Sequence, residues 1–192
     1  MKSDLDTKRL FDLVVASIGA IVAAPVILVC MAAIRIDSPG AALFRQTRVG
    51  KGEREFTCLK LRTMRIGTRN APSHETGSSS VTSVGRFLRA SKLDELPQLW
   101  NILKGDMSLV GPRPCLPEQA TLIEARRRYG LYDIRPGVTG VAQVAGVDMS
   151  APEELAALDA TYLQDKSLKA DVKLIVATLL GSGRGDRVNS VR

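Results

Sequence analysis

Two adjacent carboxylates, Asp94 and Glu95, are the side chains of this sequence that could most directly perform chemistry. An aspartate can attack a phosphoryl group and form an acyl phosphate. Neighbouring carboxylates can also hold Mg²⁺ together with waters and substrate phosphates. The alternative is structural, because Ser91 and Asp94 match a loose capping box and acidic residues stabilise the first turn of a helix. On this motif alone, both interpretations stay open.

Cations that could bind phosphate accompany the two carboxylates. Arg89 lies shortly before Asp94, and Arg113 lies between two prolines that would stiffen its presentation. Lys60 and Arg62 share one face of a predicted strand, because side chains alternate along a strand. Two cations on one strand face could grip a diphosphate. An ordinary solvated strand face is the alternative interpretation.

A long apolar segment near the N-terminus could hold the chain in a membrane. Residues 10–34 contain only Asp12 and Ser17 as polar side chains, and a helix of this length can cross a hydrocarbon core of ~30 Å. Pro25 falls in the middle, where it should kink or break the helix. Basic residues flank both ends, which favours a helix-break-helix hairpin that returns to the same membrane face. A kinked single-pass helix is the alternative, and both place the following domain in the cytoplasm.

The rest of the chain predicts an α/β (α+β) fold that is mostly helical, with one small β-hairpin. The hairpin strands are expected over 41–49 and 54–64. Helices are expected over 84–90, 94–103, 118–129, 152–163 and 171–180. The last of these is apolar and too short to span, so it is expected to pack or to lie at the membrane interface as an amphipathic helix.

These elements predict three parts of the chain. Residues 1–36 form a membrane anchor, residues 37–180 a cytoplasmic domain, and residues 181–192 a flexible tail. A polar, glycine- and serine-rich stretch over 67–80 is expected to form a mobile loop.

The composition limits the classes of partner. The formal net charge is +7, which suits nucleic acid, anionic lipid or phosphorylated small molecules. Nucleic acid is the weakest of these, because the basic residues are dispersed and only 4% of residues are aromatic. The three cysteines form no CxxC pair. The single histidine, His74, lies in a polar loop, so a histidine-based metal site or a Ser-His-Asp triad is not expected.

Six motifs occur in a characteristic order. They read KRLFD at 8–12, FRQTRVG at 44–50, LKLRTM at 59–64, LDELPQ at 93–98, GDMSLVGPRP at 105–114 and RPGVTGVAQ at 135–143. With this order and spacing the chain resembles the bacterial sugar transferase family, the monotopic polyprenyl-phosphate phosphoglycosyl transferases. It is most similar to the minimal members, which consist of little beyond the catalytic domain. The resemblance covers residues 8–180 and favours the functional interpretation of the carboxylates and cations.

The resemblance implies a reaction. A phospho-sugar would pass from a UDP-sugar to a polyprenyl phosphate such as undecaprenyl phosphate, with release of UMP, in the first membrane step of glycoconjugate assembly. Asp94 would attack the sugar-linked phosphate and form a covalent phospho-sugar intermediate. Glu95 would support Mg²⁺ binding or the second half-reaction. Mg²⁺ is the expected cofactor, held by Asp94 and Glu95.

The resemblance also implies the roles of further residues. The expected phosphate-binding cations are Lys60, Arg62, Arg89, Arg113 and Arg135, with Thr139 and Gln143 in supporting roles. The membrane break maps onto Ala24 and Pro25, where the family often has Ser-Pro. Val141 also departs from the family, which often has an aromatic residue there, so the sugar and uridine contacts are less well defined than the reaction type.

The implied partners are a UDP-sugar donor, a polyprenyl phosphate acceptor and membrane lipids, and a homodimer is plausible at a membrane surface. The implied location is the bacterial inner membrane, with the catalytic domain on its cytoplasmic face. Two alternatives compete with this function. One is a catalytically inactive scaffold of a glycan assembly complex, and the other is a membrane-tethered binder of nucleic acid or anionic lipid. The sequence does not identify the sugar.

Overall fold

A computed structural model describes residues 2–68 and 80–182 of the chain. Seven α-helices lie within these ranges: α1 (Lys2–Asp37), α2 (Ser83–Ala90), α3 (Gln98–Lys104), α4 (Ala120–Arg128), α5 (Val141–Ala145), α6 (Pro152–Gln164) and α7 (Leu168–Leu179). The strands are β1 (Leu43–Val49), β2 (Glu55–Leu61), β3 (Ser108–Val110) and β4 (Gly137–Thr139). Most of the loop predicted over 67–80, including His74, and most of the tail predicted over 181–192 lie outside the described residues. The mostly helical fold with a small β-hairpin is confirmed.

Helix α1 is continuous from Lys2 to Asp37 and includes Pro25. A proline inside a helix removes one backbone hydrogen bond and favours a kink, but helical structure continues on both sides of this one. The helix break predicted at Ala24 and Pro25 is therefore not confirmed. The re-entrant path through the membrane stays a prediction.

One narrow stripe of α1 packs against the rest of the protein. Its buried side chains are Asp12, Ala16, Ala23, Cys30 and Ile34. These positions recur at intervals of four and seven residues, which places them on one face of a helix. Large apolar side chains cover the opposite side and are solvent-exposed.

The composition of α1 indicates membrane association. Thr7–Asp37 is long and apolar enough to cross a membrane, and its most apolar stretch of 18 residues has a mean hydropathy of 2.7. Only 17% of its most apolar window is buried inside the protein. The core helix of a water-soluble protein would bury most of such a surface, so the exposed side of α1 is suited to lipid.

The predicted β-hairpin is confirmed. β1 and β2 pair antiparallel, with Phe44 opposite Lys60 and Gln46 opposite Cys58. Opposite residues share a face, so Lys60 lies on the same face as Phe44 and Gln46. One side chain of helix α3 binds the backbone of β2. The Asn101 amide accepts a hydrogen bond from the Leu59 N–H at 3.0 Å and donates one to the Thr57 carbonyl at 2.7 Å.

A second, two-stranded sheet was not predicted. β3 and β4 pair parallel, with Ser108 opposite Gly137 and Val110 opposite Thr139. This pairing joins two motifs that the sequence shows only as turn-rich runs. The chains approach so closely that a Cβ on Gly111 would lie 2.4 Å from the Arg135 carbonyl oxygen. The glycines of these motifs therefore permit the pairing.

Most helices occupy the predicted positions, but the helix predicted over 94–103 is divided. A 3₁₀ turn covers Leu93–Glu95, and α3 begins only at Gln98, after Pro97. It ends as expected at Gly105, which adopts a φ of 98° that favours glycine. The core beneath α3 contains Ala16 of α1, Met107 and Tyr162 of α6. Asp94 and Glu95 are thus carried by a tight turn anchored on a buried helix.

Candidate active site

Asp94 is a buried carboxylate in the 3₁₀ turn between α2 and α3. Its residue is only 7% exposed. Lys92 enters the turn with a φ of 58°, a left-handed conformation that is uncommon for a residue other than glycine. Within the part of the chain that the structure describes, Asp94 makes no hydrogen bond or ion pair. Its oxygens are therefore available to a substrate.

The surroundings of Asp94 raise its pKa to about 6. Burial is the largest cause, because it disfavours the charged form, and the negative charge of Glu95 adds to it. The cations Lys60, Arg89 and Arg113 act in the opposite direction. A carboxylate with this pKa is mostly ionised near neutral pH, so it can act as a nucleophile there.

Glu95 collects two of the predicted cations. Its Oε1 accepts a hydrogen bond from Lys60 Nζ at 3.1 Å and another from an Arg113 terminal nitrogen at 2.8 Å. All three side chains are about 15% exposed. Charged pairs this well shielded are shorter and stronger than surface pairs. Glu95 therefore fixes both cations beside Asp94.

Hydrogen bonds from other segments to three consecutive carbonyl groups hold the turn that carries Arg113. Those of Pro112, Arg113 and Pro114 accept, respectively, from the Gly137 N–H at 2.9 Å, an Arg126 terminal nitrogen at 2.7 Å and an Arg48 terminal nitrogen at 2.8 Å. Arg126 is itself almost fully buried and pairs with Asp159 at 3.2 Å. The predicted stiff presentation of Arg113 thus has a structural basis beyond its flanking prolines.

Arg89 lines the same cavity as Asp94, Glu95 and Arg113. Its Nε donates to the Thr63 hydroxyl at 2.9 Å. Its NH1 is buried and has no hydrogen-bond partner among the described residues. A buried guanidinium nitrogen without a partner is costly, so this nitrogen is suited to an anionic ligand.

Asp94 and Arg89 line two cavities at once. We call the first the hairpin cavity; it has a volume of about 330 Å³ and is lined by the β-hairpin with the segment that follows it. We call the second the inner cavity; it is narrow and is lined by Lys92, Glu95, Arg113, Thr139, Gln143 and Thr178 besides Asp94 and Arg89. The hairpin cavity falls in the size range of small-molecule sites. Asp94 can therefore be reached from two sides.

Both residues predicted in supporting roles line the inner cavity. The hydroxyl of Thr139 lies 2.5 Å from that of Thr178. The Gln143 amide donates to the Val138 carbonyl at 3.1 Å, while its Oε1 is buried without a partner among the described residues. An unpartnered buried oxygen can accept a hydrogen bond from a ligand.

Lys92 and Thr178 are among the residues of the inner cavity that were not predicted as site residues. Lys92 donates to the Ser182 carbonyl at 2.8 Å, and burial lowers the pKa of its ammonium group. Its position two residues before Asp94 was a usable signal. Thr178 gave none, because it lies on α7, far away in sequence, and only the folded chain brings it to Thr139.

Two of the predicted phosphate-binding cations, Arg62 and Arg135, do not contact Glu95 as Lys60 and Arg113 do. Arg62 lines the hairpin cavity, but it follows the end of β2, and its terminal nitrogens donate to the Ser38 and Pro39 carbonyls at 2.7 and 2.5 Å. It therefore ties the end of α1 to the hairpin. Arg135 lines a third cavity that contains neither Asp94 nor Glu95, and it donates to the Gly105 carbonyl at 2.8 Å. The structure does not bring Arg135 to the dyad.

The carboxylates of the site are possible ligands for Mg²⁺. The described residues contain no group of three or more His, Cys, Asp or Glu side chains that could hold a metal ion. Asp94 and Glu95 supply two neighbouring carboxylates. Mg²⁺ is commonly bound by one or two carboxylates while substrate phosphates and waters complete its shell. The residues present therefore fit a Mg²⁺ ion that arrives with a phosphorylated substrate.

Comparison with known proteins identifies the family. The family model described as bacterial sugar transferase matches residues 3–183. The chain therefore belongs to the bacterial sugar transferase family, and the resemblance inferred from its six motifs is confirmed. Relatives within this family are named as sugar-phosphate transferases, so the chain belongs to an enzyme class that transfers phosphorylated sugars.

Three relatives illustrate the match. A UDP-glucose:undecaprenyl-phosphate glucose-1-phosphate transferase of Caulobacter vibrioides is 43% identical over 181 residues, which cover 90% of this chain and 68% of that protein. A UDP-N-acetylgalactosamine-undecaprenyl-phosphate N-acetylgalactosaminephosphotransferase of Aeromonas hydrophila is 37% identical and is covered over 42% of its length. The exopolysaccharide production protein ExoY of Sinorhizobium fredii is 34% identical and is covered over 84%. The chain thus spans less than half of some relatives and most of others.

Proposed function

We propose that this protein transfers a phospho-sugar from a UDP-sugar to a polyprenyl phosphate, releasing UMP and forming a polyprenyl-diphospho-sugar. The observation that carries the proposal is the position of Asp94. It is a buried carboxylate that has no hydrogen bond or ion pair within residues 2–68 and 80–182. It lies near Lys60, Arg89 and Arg113 and lines two cavities. The names of the relatives, which couple UDP-sugars to undecaprenyl phosphate, support this choice of donor and acceptor.

The first half-reaction follows from the nucleophilic character of Asp94. One of its oxygens attacks the phosphorus atom that carries the sugar. A bond forms between this oxygen and phosphorus, while the bond between phosphorus and the bridging oxygen of the diphosphate breaks. UMP leaves with the bonding electrons. The product on the enzyme is an acyl phosphate that links Asp94 to the phospho-sugar.

The second half-reaction regenerates the carboxylate. An oxygen of the polyprenyl phosphate attacks the same phosphorus atom and displaces the Asp94 oxygen. Because the intermediate is covalent, the soluble donor and the lipid acceptor can use the site in turn, which is a ping-pong order. Glu95 supports both steps by holding Lys60 and Arg113 in place.

The cations stabilise the charge of the transferred phosphoryl group. Phosphoryl transfer depends mainly on positioning and electrostatic stabilisation, which do not require a histidine base. Arg113 has the stiffest presentation, and Arg89 has an unpartnered buried nitrogen. Asp94 and Glu95 would hold Mg²⁺ with the donor diphosphate, and the ion would neutralise part of the diphosphate charge.

The proposed function places the protein at a membrane surface. The exposed apolar side of α1 inserts into the bacterial inner membrane, and the catalytic domain faces the cytoplasm, where UDP-sugars are available. A re-entrant α1 would keep both of its basic flanks on that side. Membrane lipids and the polyprenyl acceptor are then the immediate neighbours of the site, and a homodimer is compatible with this arrangement.

The test measures UMP release by purified protein in neutral detergent with Mg²⁺, undecaprenyl phosphate and a panel of UDP-sugars. We expect turnover with at least one sugar. Intact-mass measurement with donor alone should show an added phospho-sugar. Asp94→Asn should abolish both signals, while Asp165→Asn, which changes an exposed carboxylate outside the two cavities, should keep them. Turnover or adduct formation by Asp94→Asn would contradict the assignment.

A further inference from the structure

A third cavity, which we call the α1 cavity, lies at the start of the apolar helix and is strongly cationic. The cations that line it are Lys8, Arg9, Lys51, Arg135 and Lys166. Among the described residues, two carboxylates, those of Asp12 and Asp133, line it as well. Its volume of about 30 Å³ has room for two or three waters, or for one tetrahedral oxyanion in their place, but not for a nucleotide.

The internal partners of these charges leave an excess of positive charge. Lys8 is bound to the buried Asp171 at 2.7 Å, and Asp12 accepts from the Leu109 N–H at 3.2 Å. Lys51 and Lys166 make no ion pair within the part of the chain that the structure describes. The cavity therefore contains two lysines, Lys51 and Lys166, that no carboxylate among the described residues neutralises by an ion pair.

Repulsion among these cations is visible at Lys166. Burial lowers its pKa, Lys8 and Lys51 lower it further, and only Asp171 opposes them. An anion in the cavity would remove this unfavourable contribution. The fold thus maintains an arrangement that a bound anion would stabilise.

A buried hydroxyl also lacks a partner at this place. Ser108 lines the α1 cavity, is 2% exposed, and its Oγ has no hydrogen-bond partner among the described residues. Buried polar groups in native proteins are nearly always satisfied by protein, water or ligand. The hydroxyl can donate to an anion, while Lys51 and Lys166 provide charge.

Two of the arginines are partly occupied by the protein. Arg9 donates to the Ile102 and Leu103 carbonyls at 2.8 and 3.2 Å, and Arg135 donates through its Nε to the Gly105 carbonyl. These bonds satisfy the C-terminal end of α3 and fix both guanidinium groups at the cavity wall. The terminal nitrogens of Arg135 lie outside its bond with Gly105.

The position of the cavity relates it to the membrane surface. Lys8 and Arg9 directly precede Leu10, which is 63% exposed and begins the apolar side of α1. Basic residues at such a boundary lie level with lipid headgroups. A headgroup phosphate can therefore reach the cavity, as can a phosphate ion from solution.

We propose that the α1 cavity is a second anion site, separate from the dyad, that binds one phosphate group through Lys51, Lys166, Arg135 and Ser108. The group comes from an anionic lipid headgroup or from free phosphate, since both present the same tetrahedral oxyanion. Bound there, it ties the turn after β1 and the segment after α6 to β3 and to the segment before β4. This assignment also gives Arg135 a ligand-binding place away from Asp94.

The test measures how fast each lysine is acetylated by a brief pulse of an N-hydroxysuccinimide ester, read by peptide mass spectrometry. The protein is kept in neutral detergent with inorganic phosphate or with chloride at equal ionic strength. A second arm compares nanodiscs of phosphatidylcholine with nanodiscs that also contain phosphatidylglycerol. Lys169 is exposed, lies three residues from Lys166 and lines none of the three cavities, so it is the internal control. The readout requires no turnover.

We expect phosphate or phosphatidylglycerol to slow acetylation of Lys166 at least fivefold and that of Lys169 less than twofold. Protection by phosphatidylglycerol alone identifies a lipid headgroup as the source, and protection by phosphate alone identifies a soluble anion. Lys51→Gln and Ser108→Ala should each raise the phosphate concentration for half-protection several-fold. Lys104→Gln, which removes an exposed cation elsewhere, should not. Equal protection of both lysines, protection in neither arm, or unchanged protection in Lys51→Gln and Ser108→Ala would overturn the proposal.

Discussion

Replacing Asp94 by asparagine should abolish transfer and also stabilise the fold. The carboxylate is buried and has no ion-pair partner among the described residues, and its pKa is raised from 3.8 to about 6. Each pKa unit corresponds to about 1.4 kcal/mol, so the ionised form costs the folded state roughly 3 kcal/mol relative to the unfolded chain. Asparagine carries no charge but must still bury its amide. We therefore expect a net gain of about 1–3 kcal/mol at pH 8.

The stability difference between Asp94→Asn and the wild type should depend on pH. Because the pKa of Asp94 is higher in the folded state, the folded state holds the proton more tightly. The cost of the charge is fully present above pH 6 and disappears as the pH falls toward 3.8. The advantage of Asp94→Asn over the wild type should therefore be largest at pH 8 and should close toward pH 4.

Thermal unfolding followed by circular dichroism in neutral detergent measures the difference at several pH values. For a chain of this size, 1–3 kcal/mol corresponds to roughly 2–12 °C in Tm. Asp165→Asn serves as the matched control, because it replaces an exposed carboxylate, and its Tm should follow the wild type. A lower Tm of Asp94→Asn at pH 8, or a difference that does not change with pH, would refute the reasoning.

The remaining predictions concern the pH profile, one cation and one structural side chain. UMP release should fall about tenfold per pH unit below pH 6, because protonated Asp94 is not nucleophilic; a rate unchanged down to pH 5 would contradict this. Arg113→Lys should lower kcat/KM roughly tenfold to hundredfold, since a lysine cannot reproduce the guanidinium bond to Glu95 and phosphate together; activity within twofold of the wild type would argue against a role at the phosphoryl group. Asn101→Ala should destabilise by about 2–4 kcal/mol in denaturant unfolding, because it leaves the Leu59 N–H and the Thr57 carbonyl without this partner; a loss under 1 kcal/mol would show that water replaces the amide.

The residues that meet at the candidate site could be located from the sequence because they lie in short motifs. Asp94 and Glu95 are adjacent in sequence, and the prolines on both sides of Arg113 indicate that its side chain is held in a stiff turn. The strand that carries Lys60 has a clear period of two, so its face was also predictable. These local signals identified the groups that meet at Glu95 although they come from separate elements.

What the sequence did not show depends on contacts between distant segments. β3 and β4 have three residues each, too few for any periodicity, and their pairing depends on glycines that permit close approach. This pairing fixes the positions of the two segments that carry Arg113 and Arg135. Arg113 lines the inner cavity with Asp94 and Glu95, whereas Arg135 lines the α1 cavity. The place of Thr178 likewise depends on how α7 packs.

The difference between the two carboxylates explains how one site can hold cations and still present a nucleophile. A carboxylate that accepts hydrogen bonds from lysine and arginine has its lone pairs engaged and is a poor nucleophile. Glu95 takes that role, because both Lys60 and Arg113 bind its Oε1. Asp94 stays unpaired at a distance where the same cations still moderate its pKa. This arrangement buries a charge at an energetic cost. In the proposed mechanism it supplies a carboxylate that is mostly ionised near neutral pH and attacks phosphorus.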